Sequence, residues 1–321
     1  MNFVLSRRVL RMGGCQVLEP NIYNVRQLLK TFDTIVYAAD GVLWRHDQAL
    51  TGAADTFNAL RAMGKNSFIC TNNSEASCRA LSKKAHSMGF LITENEILSS
   101  AQALARYMRE RKFNRKVYIV GGQGIKDELR QVGIESLPLD LASTQENSMV
   151  DQVQKMYLDA NVGAVAVGMD LGLNVLKLTK ASIYLRDPRT LFLATNRDRA
   201  FPVAADRQVP GAGVVVAAIQ AVAKRAPFTC GKPSPYVCSH LIRQGVIEPE
   251  RTLLVGDTMY TDMQFGYNCG FHTLLVGTGV SSLQDVRHAL ASKQAIAYQQ
   301  IPDLYLHRLS DLLPFIPSRN Y

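Results

Sequence analysis

Short apolar runs recur along the chain, each followed by polar residues and then by a stretch with helical periodicity. Thr34–Tyr37, Ser67–Cys70, Lys116–Val120, Val162–Val167, Leu191–Ala194, Thr252–Val255 and Thr273–Val276 read as strands. Asp55–Met63, Ser77–Met88, Ala101–Arg111, Gly213–Lys224 and Pro235–Gln244 read as helices. This alternation predicts an α/β fold, with a doubly wound, mainly parallel sheet covered by helices. No apolar run approaches the ~20 residues needed to span a bilayer, so no membrane partner is expected.

Four of these segments end in residues that can do chemistry. Ile35–Tyr37 runs into Ala38-Ala39-Asp40-Gly41-Val42; alone, this is a buried strand and an Asp-Gly turn. Ser67–Cys70 runs into Thr71-Asn72-Asn73-Ser74 ahead of a helix. A hydroxyl and free backbone N–H groups there suit a phosphate dianion, or simply cap the helix. Cys230-Gly231-Lys232-Pro233-Ser234-Pro235 carries a lysine that could neutralise phosphoryl oxygens, though a lone Gly-Lys-Pro is usually a loop. Thr252–Val255 runs into Gly256-Asp257, and Asp262 follows five residues later. Two carboxylates at a strand end suit Mg²⁺, which prefers oxygen, keeps several waters and borrows oxygens from phosphate. Singly, such aspartates are caps and turn formers.

In this order and after apolar strands, the four segments resemble haloacid-dehalogenase-type phosphatases. Gly168-Met169-Asp170, Lys177-Leu178-Thr179-Lys180-Ala181, Thr195-Asn196-x-Asp198-x-x-x-Pro202 and Gly277-x-Gly279-Val280-Ser281-Ser282-Leu283-x-Asp285 narrow this to the phosphoglycolate, pyridoxal and 4-nitrophenylphosphatase group. The likeness runs from about Gln27 to about Pro314. It implies a Rossmann-like core with an inserted α/β cap, Mg²⁺ as cofactor, a small phosphorylated ligand and a homodimer formed through the cap. Carried over position by position, Asp40 is the acid/base and a backbone metal ligand, Asp257 the metal ligand and Asp262 a ligand-supporting carboxylate of the same metal site. Thr71, Asn72 and Lys232 hold phosphate, and Asp170, Asn196 and Asp198 belong to the substrate side of the cap.

One position departs decisively. In the resembling enzymes the residue two before the acid/base is the aspartate that attacks phosphorus; here it is Ala38. A methyl group is no nucleophile, and nucleophile losses cost on the order of 10⁴-fold in rate. Asp33, at the other end of the strand, is no substitute. Thr258 stands where the family usually has Arg, Tyr260 where a small polar or acidic residue is usual, and Ala212 where Thr is usual. The cap loop Asp170-Leu-Gly-Leu-Asn-Val175 carries aliphatic residues in place of aromatic ones. The sequence thus predicts a catalytically impaired member that retains its phosphate and Mg²⁺ pocket. Its alternative is an active Mg²⁺-dependent phosphatase of small phosphomonoesters such as phosphoglycolate or 4-nitrophenyl phosphate.

The catalytic segments fall in two blocks, which divides the chain into a tail 1–19, core 20–111, cap 112–208 and core 209–321, with Ser143–Ser148 as a loop in the cap. At 321 residues with 47% hydrophobic and 20% charged positions, the composition is that of a globular protein. The net charge of +9 comes from scattered Lys and Arg. That favours solubility and mild attraction for phosphoesters over nucleic acid. Six cysteines without metal-site spacing read as reduced thiols, giving a cytoplasmic expectation. Arg7, Arg8 and Arg11 among apolar residues, with no acid before Glu19, keep a mitochondrial leader open as the alternative.

Overall fold

The structure is a computed structural model that describes residues 14–140, 148–204, 207–292 and 295–317. The arginine-containing N-terminus and residues 143–147 of the expected cap loop lie outside the described residues. The chain separates into two compact units.

The first unit comprises Met1–Thr71, Leu81–Leu98 and Lys232–Tyr321. Its sheet has seven strands among the described residues. Their order is Gln16–Val17, Leu304–Leu306, His272–Val276, Thr252–Gly256, Thr34–Tyr37, Asn66–Thr71 and Ile97–Ser99. The central strands are buried along their whole length, as parallel strands covered on both faces must be. Register aligns their exits: Val255 pairs with Tyr37, and Tyr37 with Ile69. The residues that follow, Ala38, Gly256 and Cys70–Thr71, therefore emerge at one edge of the sheet. The strands Asn66–Thr71 and Ile97–Ser99 lie to one side of Thr34–Tyr37 and the later strands from Thr252–Gly256 onward to the other, so the strand order reverses there, the place at which open α/β sheets bind ligands.

Tyr37, Phe57, Phe90 and Trp44 pack in succession, tilted or edge to face, with ring centroids 4.9 to 5.6 Å apart. They fix the start of a small hairpin, Trp44–Arg45 with Gln48–Ala49, that rises directly after Asp40. Gly41 N–H donates to Trp44 O at 2.8 Å, so the Asp-Gly turn and the hairpin are one piece.

The second unit comprises Asn72–Ala80 and Ser99–Gly231. Its parallel sheet runs Phe228–Thr229, Leu191–Ala194, Val162–Val167 and Lys116–Val120. Helices Val175–Tyr184 and Ala212–Ala223 pack on it through Ala181, Tyr184, Val215, Val216 and Ile219. This unit reaches further than the insertion 112–208 expected from sequence. The segment 209–231 belongs to it because that helix buries its apolar face against the unit's own strands, and Phe228–Thr229 extends its sheet. The helix Ser100–Glu110 also falls here, packed on Gln123–Gln131. No helix among the described residues is long and apolar enough to cross a membrane.

Candidate active site

In the first unit the strand ends bring Ala38, Asp40, Thr71, Lys232, Asp257 and Asp262 to one edge. Ala38 N–H donates to Val255 O at 2.8 Å, so residue 38 still continues the ladder. Its side chain is a buried methyl at the centre of the edge. Asp33 sits at the opposite end of that strand, held by Arg251, whose Nη2 lies 2.8 Å from Asp33 Oδ1. It is out of reach of this edge.

Lys232 Nζ donates to Cys70 O at 2.9 Å and to Asp262 Oδ1 at 2.8 Å. Both charged side chains are buried. Asp262 lies in the π-helical turn Met259–Met263; such turns recur at functional sites. Its second oxygen accepts the backbone N–H groups of Asp257 and Thr258 at 3.0 and 3.1 Å. Asp262 thus clamps both the lysine and the backbone of the Gly-Asp turn, and its two oxygens are engaged by these groups.

Asp257 is buried beside it. One carboxylate oxygen accepts from Val280 N–H at 2.9 Å, the other from Thr258 Oγ1 at 3.3 Å. Burial, followed by the negative charge of Asp262, pushes its carboxyl up to about 8. Two glycines make room for it: a Cβ on Gly41 would meet Asp257 Oδ2 at 2.5 Å, and one on Gly279 at 1.9 Å. Gly41 also has φ +78°, a conformation that L side chains resist. The Gly-x-Gly at 277–279 was legible as a motif; its use as a seat for the Asp257 carboxylate was not.

Asp40 opens to solvent at the mouth, yet surrounding protein shields its carboxyl and raises its pKa. Lys84, Lys232 and His46 pull the other way. Lys84 and His46 were missed from sequence, because nothing in a lysine on a helix or a histidine in a turn marks it as near the acid.

The residues assigned to the second unit are joined among themselves. Asn72 Nδ2 donates to Asp198 Oδ2 at 2.9 Å, Asn196 Nδ2 donates to Asn72 O at 2.8 Å, and Asp198 N–H donates to Asn196 Oδ1 at 3.0 Å. Asp170 stands apart from this network, in a buried ion pair with Lys177 at 2.8 Å, while the neighbouring Leu171 is exposed.

Among the described residues no three His, Cys, Asp or Glu side chains converge as a closed metal cage. The donor chemistry nonetheless fits Mg²⁺, which is bound by one or two carboxylates and completed by water and phosphate oxygens. A buried carboxylate raised to about 8, with a second carboxylate beside it, is a group that a divalent cation would relieve.

Comparison with known proteins matches residues 35–135 to the haloacid dehalogenase-like hydrolases and residues 229–312 to a second segment of the same class, HAD-hydrolase-like. The human glycerol-3-phosphate phosphatase is 35% identical over 295 residues, 89% of this chain and 92% of that protein. The chain belongs to the haloacid dehalogenase-type phosphatase family. Phosphoglycolate phosphatase 2 of Arabidopsis thaliana is 36% identical, covering 92% of this chain and 97% of its own. Among solved structures, the p-nitrophenyl phosphatase of Archaeoglobus fulgidus aligns with a TM-score of 0.73 and 26% identity, over 88% of this chain and 98% of that one. A glycerol phosphate phosphatase of Mycobacterium tuberculosis, solved in complex with magnesium, shares the fold at a TM-score of 0.70 and 23% identity, over 89% and 78% of the two chains. The doubly wound, mainly parallel sheet expected from sequence is the fold of this phosphatase family.

Proposed function

We propose that the chain binds small phosphomonoesters together with Mg²⁺ at the strand-end edge of its first unit, and turns them over slowly or not at all. The observation that carries this reading is the Ala38 methyl at the centre of an otherwise complete edge. Thr71 and Lys232 supply a donor and positive charge for the phosphoryl oxygens. Asp257 and the backbone carbonyl of Asp40 are the proposed Mg²⁺ ligands. Asp262 supports them by holding Lys232 and the Asp257 turn. A bound Mg²⁺ would neutralise charge on the phosphoryl group and orient it. With no carboxylate at residue 38 the protein offers the cation one oxygen donor fewer, so a lower Mg²⁺ affinity belongs to this reading.

Loss of that carboxylate acts in two directions. It closes the route through an aspartyl-phosphate, because no oxygen is present to form the O–P bond. It also removes a negative charge that would repel the phosphate dianion, while Lys232 remains. Binding thus survives where turnover fails. Asp40 can still protonate a leaving oxygen or accept a proton from water, which leaves direct hydrolysis as a residual route.

A second reading, an active Mg²⁺-dependent phosphatase of small phosphomonoesters, is the one the relatives favour. The human and Arabidopsis proteins are named as phosphatases and match along about nine-tenths of the chain. Hydrolysis of 4-nitrophenyl phosphate by the purified chain, beside its Ala38→Asp variant, separates the two. A silent native chain and an active variant support the first reading. A native rate well above a metal-free control overturns it in favour of the second. Silence of both chains removes the claim that Ala38 alone closes the reaction.

A further inference from the structure

Two segments far apart in the chain meet over the turn that carries Asp40. Thr278 Oγ1 donates to Gly41 O at 2.6 Å, across 237 positions of sequence. Arg45 Nη2, from the hairpin that follows Asp40, donates to Thr278 O at 2.7 Å. Gly41 N–H is already given to Trp44 O at 2.8 Å. Both backbone groups of Gly41 are therefore engaged, one by the hairpin and one by the Gly277–Ser281 loop. In a trans peptide the carbonyl points opposite to the N–H that shares its plane, so fixing Gly41 N–H fixes the direction of the Asp40 carbonyl.

The same loop holds Asp257. Val280 N–H donates to Asp257 Oδ2 at 2.9 Å, and Ser281 N–H donates to Asp257 O at 2.8 Å. Ser281 Oγ accepts Met259 N–H at 3.0 Å, which ties the loop to the turn beyond Asp257. The Asp257 carboxylate lies against Gly41 itself, where a Cβ would come within 2.5 Å of Oδ2. One loop thus grips both the acid/base turn and the Asp257 carboxylate. Arg45 is exposed and Thr278 only half-buried, so water could serve Thr278 O. The arginine adds rigidity rather than a missing partner.

We propose that Thr278 is a positioning residue for Mg²⁺: its hydroxyl, with Arg45 bracing its backbone, holds the Asp40 carbonyl in fixed relation to the Asp257 carboxylate. This rests on the proposed function, in which those two groups are the metal ligands. Partners that orient ligands matter most where ligands are few, because little binding energy is left to order a loose pair. With Ala38 in place of a carboxylate, this chain is such a case.

The test is a Mg²⁺ titration read by melting temperature, on the full chain and three variants. The metal-free melting temperature reports the fold, and the Mg²⁺ concentration at which it rises reports affinity, so the two effects separate. Thr278→Val keeps the branched shape and loses the hydroxyl. Its rise should need about tenfold more Mg²⁺, the low end of the usual cost of losing an orienting partner. Thr278→Ser restores the hydroxyl and should return the response close to that of the native chain. Arg45→Met, at an exposed position, should weaken the response in the same direction by less, and it carries the test if Thr278→Val does not fold. A lowered metal-free melting temperature with native Mg²⁺ dependence, in Thr278→Val and Arg45→Met alike, overturns the inference and leaves Thr278 a purely structural residue. Equal losses of Mg²⁺ response in the Val and Ser variants overturn it too. A native chain whose melting temperature does not respond to Mg²⁺ overturns the metal site of the proposed function, and this inference with it.

Discussion

Lys232 Nζ lies 2.8 Å from Asp262 Oδ1, and both side chains are almost fully buried. Two buried charges that close neutralise one another, and removing either leaves the other uncompensated at a cost of about 3–5 kcal/mol. Asp262 additionally receives the N–H groups of Asp257 and Thr258, which would lose their acceptor. Asp262→Ala is therefore expected to destabilise the first unit by about that amount, read from urea unfolding. A loss under about 1 kcal/mol would show that water replaces the pair at little cost.

Gly279 offers a test that leaves every charge in place. A methyl there would lie 1.9 Å from Asp257 Oδ2, so the carboxylate or the Gly277–Gly279 backbone must move. Gly279→Ala should cost about 1–3 kcal/mol from overpacking. It should also abolish the rise in melting temperature that Mg²⁺ gives the native chain. If the Mg²⁺ response survives, Asp257 is not where the cation binds.

In the second unit, Glu128 is a buried carboxylate on the helix Gln123–Gln131 that accepts Cys78 N–H at 2.6 Å. It caps the helix Cys78–Ser87, where a negative charge also meets the positive end of the helix dipole. Glu128→Ala should lower stability by about 1–3 kcal/mol by orphaning that amide. Glu128→Gln keeps an acceptor and should lose less. Thermal unfolding of the two variants checks this: equal losses for Gln and Ala would show that the carboxylate charge rather than an acceptor oxygen holds the Cys78 amide.

The strand ends were legible because Ala38, Thr71 and Gly256-Asp257 close or directly follow buried apolar runs. Asp40, Thr71 and Asp257 take their places from the sheet register, Asp262 from the π-helical turn that follows, and Lys232 from its ion pair with Asp262. The hairpin at Trp44–Ala49 was not legible, since two-residue strands carry no periodicity. Neither was the Asp170–Lys177 pair: both residues lie in the segments used to recognise the family, but their mutual burial depends on how the helix Val175–Tyr184 starts at Asn174. The share of residues 209–231 in the second unit was not legible for a similar reason. The apolar face of the helix Ala212–Ala223 packs on strands that precede it in the chain, a pairing no local pattern announces.

The raised carboxyl of Asp257 makes a prediction about pH. Its folded-state pKa, pushed up to about 8, lies well above that of an unfolded aspartate near ~3.9. Above the unfolded value the native chain retains a proton that the unfolded chain has released, so stability falls as pH rises and the loss levels off above about 8. The depressed carboxyls of Asp33, Asp187 and Asp285 act in the opposite sense, gaining stability on ionisation, but at lower pH. Urea midpoints of the native chain and Asp257→Asn, compared at about pH 5, 6.5 and 8, isolate the Asp257 contribution. The native chain is expected to lose ground to the variant as pH rises, and Mg²⁺ at about pH 8 should restore the native chain without restoring the variant. Parallel curves for the two chains would mean that Asp257 is already ionised in the fold, with Lys232 offsetting its charge as well as that of Asp262.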